Sequence, residues 1–236
     1  LPCPVAGRSG SVTGMDAVVF DFDGLILDTE TPQFLTVSAA FSQHGVELAL
    51  DDWRAIVGTA DHPHWSEWLA DELGERGRDL DLAAVREDRL VEYHARLADL
   101  DPLPGVPELL DDLGRADVAL AVASSSPLDW VEGHLERLDL LERFASLHTR
   151  EHVERTKPAP DLFRRALEHL DAAPARSVAL EDSPHGVTAA KAAGMAVVAC
   201  PNDITRGGDF GAADLVVDSL AAVSPDDLAA LLPSGS

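Results

Sequence analysis

The apolar positions of the chain follow two regimes. Ala17-Val18-Val19-Phe20 is apolar at every position, the pattern of a strand buried on both faces. The spacing then turns helical. From Pro32 to His44, Phe34, Leu35, Val37, Ser38 and Phe41 form one stripe that closes at Gly45, a favourable residue just past a helix end. A short helix is predicted over Asp51 to Val57, capped by Asp51 or Asp52, and Gly58-Thr59-Ala60-Asp61 breaks it. His62 to Leu73 reads as a helix with Trp65, Trp68, Leu69 and Leu73 on one face. Gly74 to Arg78 reads as a loop, and Leu82 to Leu100 as a longer amphipathic helix with Val85, Leu90, Tyr93 and Leu97 inward. Everything between Thr29 and about Leu103 is thus predicted helical, a compact insertion at residues 29–103.

Pro102-Leu103-Pro104-Gly105 punctuates the return, and the pattern becomes alternating. Helices are predicted at Val106 to Leu113, Pro127 to Leu138, Asp161 to Leu170, Pro184 to Ala193 and Pro225 to Leu232. Between them lie apolar runs at Val118 to Ala123, Phe144 to Leu147, Ser177 to Leu180, Ala196 to Ala199 and Leu215 to Val217. Strands alternating with helices imply a parallel sheet covered on both faces. The fold class expected is α/β, a Rossmann-like doubly wound sheet (residues 15–28 plus 104–236) with an inserted all-helical cap.

Composition narrows the partners. The chain has 236 residues, 46% hydrophobic and 25% charged, which suits a globular protein with a substantial core. Its net charge of −24, from 42 acids against 18 Lys plus Arg, repels nucleic acid and anionic membranes. No run is long enough for a membrane helix. Any anion site must therefore be assembled locally from a cation, a lysine and backbone N–H groups. Cys3 and Cys200 have no metal-ligand spacing and suggest no disulfide framework, consistent with a reducing cytoplasm. Leu1 to Gly14, rich in Pro, Gly and Ser, reads as a disordered leader, with Met15 a candidate start.

Chemistry gathers at the strand ends, where open parallel sheets bind ligands. The first strand ends in Asp21 and Asp23, followed by Gly24 where the chain must turn away. The second ends in Ser124-Ser125-Ser126, the third is followed by Lys157, and the fourth ends in Glu181-Asp182. Buried acids are costly unless a cation sits among them, and a hard divalent ion suits oxygen donors. Carboxylates from two strands with Mg²⁺, a hydroxyl and an ammonium suit the capture of a phosphoryl group. The bland readings are a solvated helix-start lysine, a polar strand end, and serines that cap the helix at Pro127. His62 and His64 read as exposed loop, Trp65 and Trp68 as helical core, and Asp161 as a charge at the start of its helix. His185 is placed on a loop near the acidic edge, not as a ligand.

In order, Asp21-Phe-Asp23-Gly24, Ser124, Lys157-Pro158 and Glu181-Asp182-Ser183 resemble the four motifs of the haloacid dehalogenase superfamily. Glu181-Asp182-Ser183-Pro184-His185-Gly186-Val187 and Lys157-Pro158-Ala159-Pro160-Asp161 resemble the branch with β-phosphoglucomutase and phosphoglycolate phosphatase. The resemblance covers about Ala17 to Val217. It implies Asp21 as nucleophile and Mg²⁺ ligand, and Asp23 as general acid/base lending a backbone carbonyl to the metal. It further implies Asp182 as metal ligand and Glu181 as ligand or supporting partner. Ser124, Ser125 and Lys157 would hold phosphate, and Gly58 and Thr59 would face substrate from the cap. Asp23 itself argues against carbon–halogen hydrolysis, since the superfamily's metal-free dehalogenases lack this second Asp.

The mutases of that branch use an Arg soon after the cap-loop Gly, a His five residues past the first motif and an Asn four past the motif Ser. Here Asp61, Gln33 and Leu128 stand near those places. The expected activity is therefore a Mg²⁺-dependent phosphatase of a small sugar or polyol phosphate, working through an aspartyl-phosphate. A β-phosphoglucomutase-type mutase is the alternative, and a non-catalytic Mg²⁺-binding receiver a third reading. This cap type often works in monomers, so a monomer is expected.

Overall fold

The structure is a computed structural model describing residues 14–58 and 63–233. The leader, apart from Gly14, and Thr59, Asp61 and His62 lie outside the described residues.

Six strands form one parallel sheet: β1 Ala17–Phe20, β2 Ala119–Ala123, β3 Ser146–His148, β4 Ser177–Glu181, β5 Ala196–Ala199 and β6 Leu215–Val216. Their order is β3-β2-β1-β4-β5-β6. The chain moves outward from β1 in one direction and then restarts at β4 on the other side. That reversal creates a crevice beside the carboxyl end of β1. It also separates this sheet from the 2-1-3-4-5 order of receiver domains. In register, Phe20 lies opposite Val122 on one side and Leu180 on the other.

Residue alternation explains why helices cover both faces. Val18, Phe20, Leu120, Val122, Val178, Leu180 and Val198 enter one buried cluster. It is covered by α5 (Val106–Arg115), α6 (Leu128–Arg137) and α9 (Pro225–Ala230), through Leu109, Leu113, Val131, Leu135 and Leu228. The alternate residues Val19, Ala121, Ala123, Ala179, Val197 and Ala199 point the other way, against α7 (Asp161–Leu170) and α8 (Pro184–Ala192). A strand with two buried faces has to be apolar throughout, as β1 is.

Between β1 and α5 lie α1 (Glu30–Gln43), α2 (Leu50–Arg54), α3 (Trp65–Leu73) and α4 (Leu82–Leu97), forming the helical cap. Its own cluster includes Val37, Phe41, Trp53, Val57, Trp65, Leu69 and Leu73, and is completed by Ile204 from the loop after β5. Arg54 reinforces that joint by donating to the Ile204 carbonyl at 2.7 Å.

Several local expectations are corrected. Leu90 and Leu35 are exposed, because α4 meets α1 along the i, i+4 line of Val85, Arg89, Tyr93 and Leu97. The helix α2 starts at Leu50 after an extended Ala49, so neither Asp51 nor Asp52 caps it, and Asp51 pairs with Arg54 instead. His64 caps α3 by accepting from the Ser66 N–H. Gly74–Asp79 is a 3₁₀ helix rather than a loop. Among the described residues, no helix is long and apolar enough to cross a membrane.

Because Ile204 closes the cap cluster from outside the cap, Ile204→Ala should lower unfolding free energy by about 2–4 kcal/mol. Urea denaturation followed by circular dichroism measures the loss.

Candidate active site

Asp21, Ser124 and Glu181 are pinned by their neighbouring strands. The Asp21 N–H donates to the Leu180 carbonyl at 2.9 Å, and the Ser124 N–H to the His148 carbonyl at 2.9 Å. The Glu181 carbonyl accepts from the Cys200 N–H at 2.7 Å. Sheet register therefore sets the spacing of the functional side chains.

At the centre sits Lys157, 1% exposed. Its ammonium pairs with Asp21 Oδ1 at 2.7 Å and Glu181 Oε1 at 2.6 Å. Burial alone would lower the lysine pKa; the two carboxylates outweigh it and hold the ammonium above its ordinary range. Glu181 has further partners: its Oε2 accepts from the Asp182 N–H, the Ser183 N–H and the Ser183 hydroxyl. Gly186, in the first turn of α8, makes room for this carboxylate, which a Cβ there would overlap.

Asp21, Glu181 and Asp182 each offer a carboxylate oxygen, all within 4.8 Å of one another and all buried. Burial, then the Glu181 charge, pushes Asp21 up to about 7 despite Lys157. Burial and Asp21 raise Asp182 well above the usual carboxylate range. Three buried acids share one ammonium, so the group lacks positive charge, and its hard oxygen donors fit a divalent cation such as Mg²⁺. Asp182 is oriented by Asn202, whose Nδ2 donates to Asp182 Oδ2 at 2.7 Å and to the Gly24 carbonyl at 3.2 Å. Gly24, at φ 76°, turns the chain here, and a Cβ would strike both Asp182 and Asn202.

Asp23 has a different environment. Its Oδ1 accepts from the Thr29 hydroxyl and the Trp130 indole N–H, both at 2.9 Å. Its Oδ2 accepts from the Ser126 hydroxyl at 2.6 Å and the Ser124 hydroxyl at 3.2 Å. The bland alternative, that Ser125 and Ser126 cap α6, is not what the structure has, since that helix has no side-chain cap. Ser126 serves Asp23, Ser125 donates to the Gly58 carbonyl at 3.3 Å, and the first N–H of α6 donates to Glu151. His185 lies on α8, not a loop, and its Nδ1 donates to the Val57 carbonyl at 2.9 Å, another cap–core tie. Asp161 opens α7 and pairs with Arg155.

These groups meet at a cavity of about 260 Å³ between sheet edge and cap, lined by Asp21, Asp23, Ser124, Ser125, Lys157 and Gly58. It also has Glu30, Gln33, Trp53, Tyr93, Ser126 and Trp130 in its wall. Glu30 is 8% exposed, and burial followed by the Asp23 charge lifts its carboxyl to about 8. Sequence reasoning missed Glu30, Trp130 and Asn202 as site residues. Asn202 was within reach of the strand-end rule, three residues beyond β5. Glu30 and Trp130 sit inside amphipathic patterns that give no sign of facing a cavity.

A family profile described as haloacid dehalogenase-like hydrolase matches residues 18–200. The chain belongs to that family. YhcW of Bacillus subtilis is 36% identical to this hydrolase over 92% of the chain and 96% of its own length. A phosphorylated carbohydrates phosphatase of Thermotoga maritima is 31% identical over 91% and 96%. Among solved structures, a CbbY variant from Rhodobacter sphaeroides, in complex with xylulose-(1,5)-bisphosphate, aligns with TM-score 0.69 and 29% identity, covering 88% of this chain and 96% of that one.

The raised Asp21 gives a pH signature. Its folded value of about 7 exceeds the ordinary 3.8, so without a cation the hydrolase loses stability as pH rises from about 4 to about 7. A divalent cation replaces the missing protons. Mg²⁺ should raise the melting temperature by several degrees at pH 8 and by clearly less at pH 5, read by differential scanning fluorimetry.

Proposed function

We propose that this hydrolase is a Mg²⁺-dependent phosphatase of a small sugar or polyol monophosphate. The observation that carries the reading is the cavity's shared wall. Asp21 and Asp23 line it beside Lys157 and Ser124, and Asp21 also stands within 4.8 Å of Glu181 and Asp182. Nucleophile, proton carrier, anion grip and cation site thus meet at one sheet edge.

Asp21 and Asp182 would hold the Mg²⁺, with the Asp23 carbonyl as a further donor. Glu181, its oxygens engaged by Lys157 and the 182–183 backbone, orients both partners. The cation supplies charge neutralisation at the phosphoryl oxygens. Lys157, the Ser124 hydroxyl and Ser125 hold those oxygens. A carboxylate oxygen of Asp21 attacks phosphorus, the ester P–O bond breaks, and Asp23 gives a proton to the departing alkoxide. Asp23 then takes a proton from water as that water attacks the aspartyl-phosphate, releasing inorganic phosphate and restoring both carboxyl groups.

The polar wall suits a polyol. Glu30 and Gln33 offer hydrogen-bonding groups deep in the cavity, with Trp53 and Tyr93 as apolar surface. Among the described lining residues Lys157 is the single cation, which suits one phosphate rather than two. The phosphorylated-carbohydrate activity named for the Thermotoga relative agrees with this substrate class. The cap helices, closing over the edge through Gly58 and Tyr93, exclude water from the reaction.

With Mg²⁺, purified protein should release phosphate from members of a sugar monophosphate panel in a malachite-green assay. Asp21→Asn should abolish the release, and Asp23→Asn should reduce kcat by roughly 10²–10⁴-fold. No release from any panel member, with Asp21→Asn equal to wild type, overturns the reading. Conversion of β-glucose 1-phosphate to the 6-phosphate replaces it with the mutase alternative.

A further inference from the structure

We propose that Arg54 of α2 is a positioning residue for the cation site. By gripping the loop after β5 it aims Asn202 at Asp182, and so sets how tightly the protein takes up a divalent cation. The proposal rests on the phosphatase reading, in which Asp182 is a cation ligand.

Asn202 holds one carboxylate oxygen of Asp182: its Nδ2 donates to Oδ2 at 2.7 Å, which leaves Oδ1 for a cation. A side-chain amide has an accepting end and a donating end, and only the donating end suits a carboxylate. The backbone of the loop decides which end faces Asp182. Asn202 Oδ1 accepts from the Ile204 N–H at 2.9 Å and from the Thr205 N–H at 3.0 Å, so the NH₂ group is turned to the acid. The Asn202 N–H returns to the Thr205 hydroxyl at 3.1 Å and closes the turn. The aim of Asn202 therefore depends on how the 204–205 peptide is oriented.

That orientation is fixed from the cap. The Arg54 Nε donates to the Ile204 carbonyl at 2.7 Å. The Ile204 carbonyl and the Thr205 N–H belong to one planar peptide group, so a bond at one end fixes the direction of the other. Arg54 thus holds the carbonyl end of the group whose N–H end holds Asn202. The guanidinium is itself anchored, with Nη1 on Asp51 Oδ1 at 2.6 Å. Gly207 is bare where the loop lies against it; a Cβ there would stand 2.9 Å from the guanidinium carbon. The buried Ile204 side chain also fastens the loop to the cap, but apolar burial is not directional. The hydrogen bond from Arg54 is directional, and it leads to a cation ligand in three steps: Arg54 to Ile204, the 204–205 peptide to Asn202, and Asn202 to Asp182.

Arg54→Met keeps the aliphatic stem and removes the donor, whereas Arg54→Lys keeps a donor. The test follows the melting temperature of metal-free protein, without substrate, as Mg²⁺ is titrated at pH 8. The concentration at which the melting temperature starts to climb reports the Kd. Losing one hydrogen bond, Arg54→Met should raise this Kd roughly threefold to tenfold, and Arg54→Lys by less than about twofold. Asn202→Ala, which removes the group touching Asp182, should raise it roughly 10–100-fold. Gly207→Ala leaves Arg54 in place but pushes its guanidinium off the loop, and should match Arg54→Met. As a control, Arg86→Met removes a guanidinium contact to Ser66 inside the cap and should leave the Kd as in wild type. An unchanged Kd in both Arg54→Met and Gly207→Ala, or an equal loss in Arg86→Met, overturns the inference while the phosphatase reading stands. A wild type whose melting temperature does not respond to Mg²⁺, and which releases no phosphate from the sugar monophosphate panel, removes both.

Discussion

The site depends on the buried ammonium of Lys157, fixed between Asp21 and Glu181. Two carboxylates and an ammonium out of water are costly to assemble, and they persist only where the geometry satisfies every partner. That need explains several neighbours at once. Glu181 takes up backbone and hydroxyl donors from 182–183, and Gly186 is bare so that this carboxylate has space. One ammonium cannot balance Asp21, Glu181 and Asp182, and these buried oxygen donors could hold a divalent ion.

The two acids of the first motif, two residues apart, have unlike surroundings. Asp21 faces charge: an ammonium, two further carboxylates and the place of the cation. Asp23 faces neutral donors from Thr29, Ser124, Ser126 and Trp130. A nucleophile must stay close to the phosphoryl group and the cation, whereas a proton carrier must release and recover its proton without moving. The environments suit the separate tasks proposed for the two acids, and pairs of acids with divergent surroundings are a recurrent solution in catalysis.

The cap is joined to the core at points that are themselves part of the site. Ile204 completes the cap cluster and lies two residues from Asn202, which orients Asp182. Gly58 meets Ser125, and a side chain there would overlap Ser183. Tyr93 meets Trp130 and Thr29. The cap–core joints thus touch the same residues to which the proposed function gives phosphate, cation and proton.

Much of this was legible in the chain alone. Uninterrupted apolar runs such as Ala17 to Phe20 require strands buried on two faces, and the rule that ligands gather at strand ends singles out Asp21, Asp23, Ser124, Lys157, Glu181 and Asp182. Those residues are local: each follows its strand within a few positions, or, for Lys157, stands in the turn just before α7. What sequence pattern could not reveal depends on long-range packing. Leu90 matches the helical period yet faces solvent, because the contact line of α4 is chosen by α1. Glu30 and Trp130 reach the cavity from a cap helix and a core helix brought together only when the sheet orders its strands. Periodicity records which side of an element is apolar; which neighbour that side meets, and what polar atom waits there, is decided by tertiary structure.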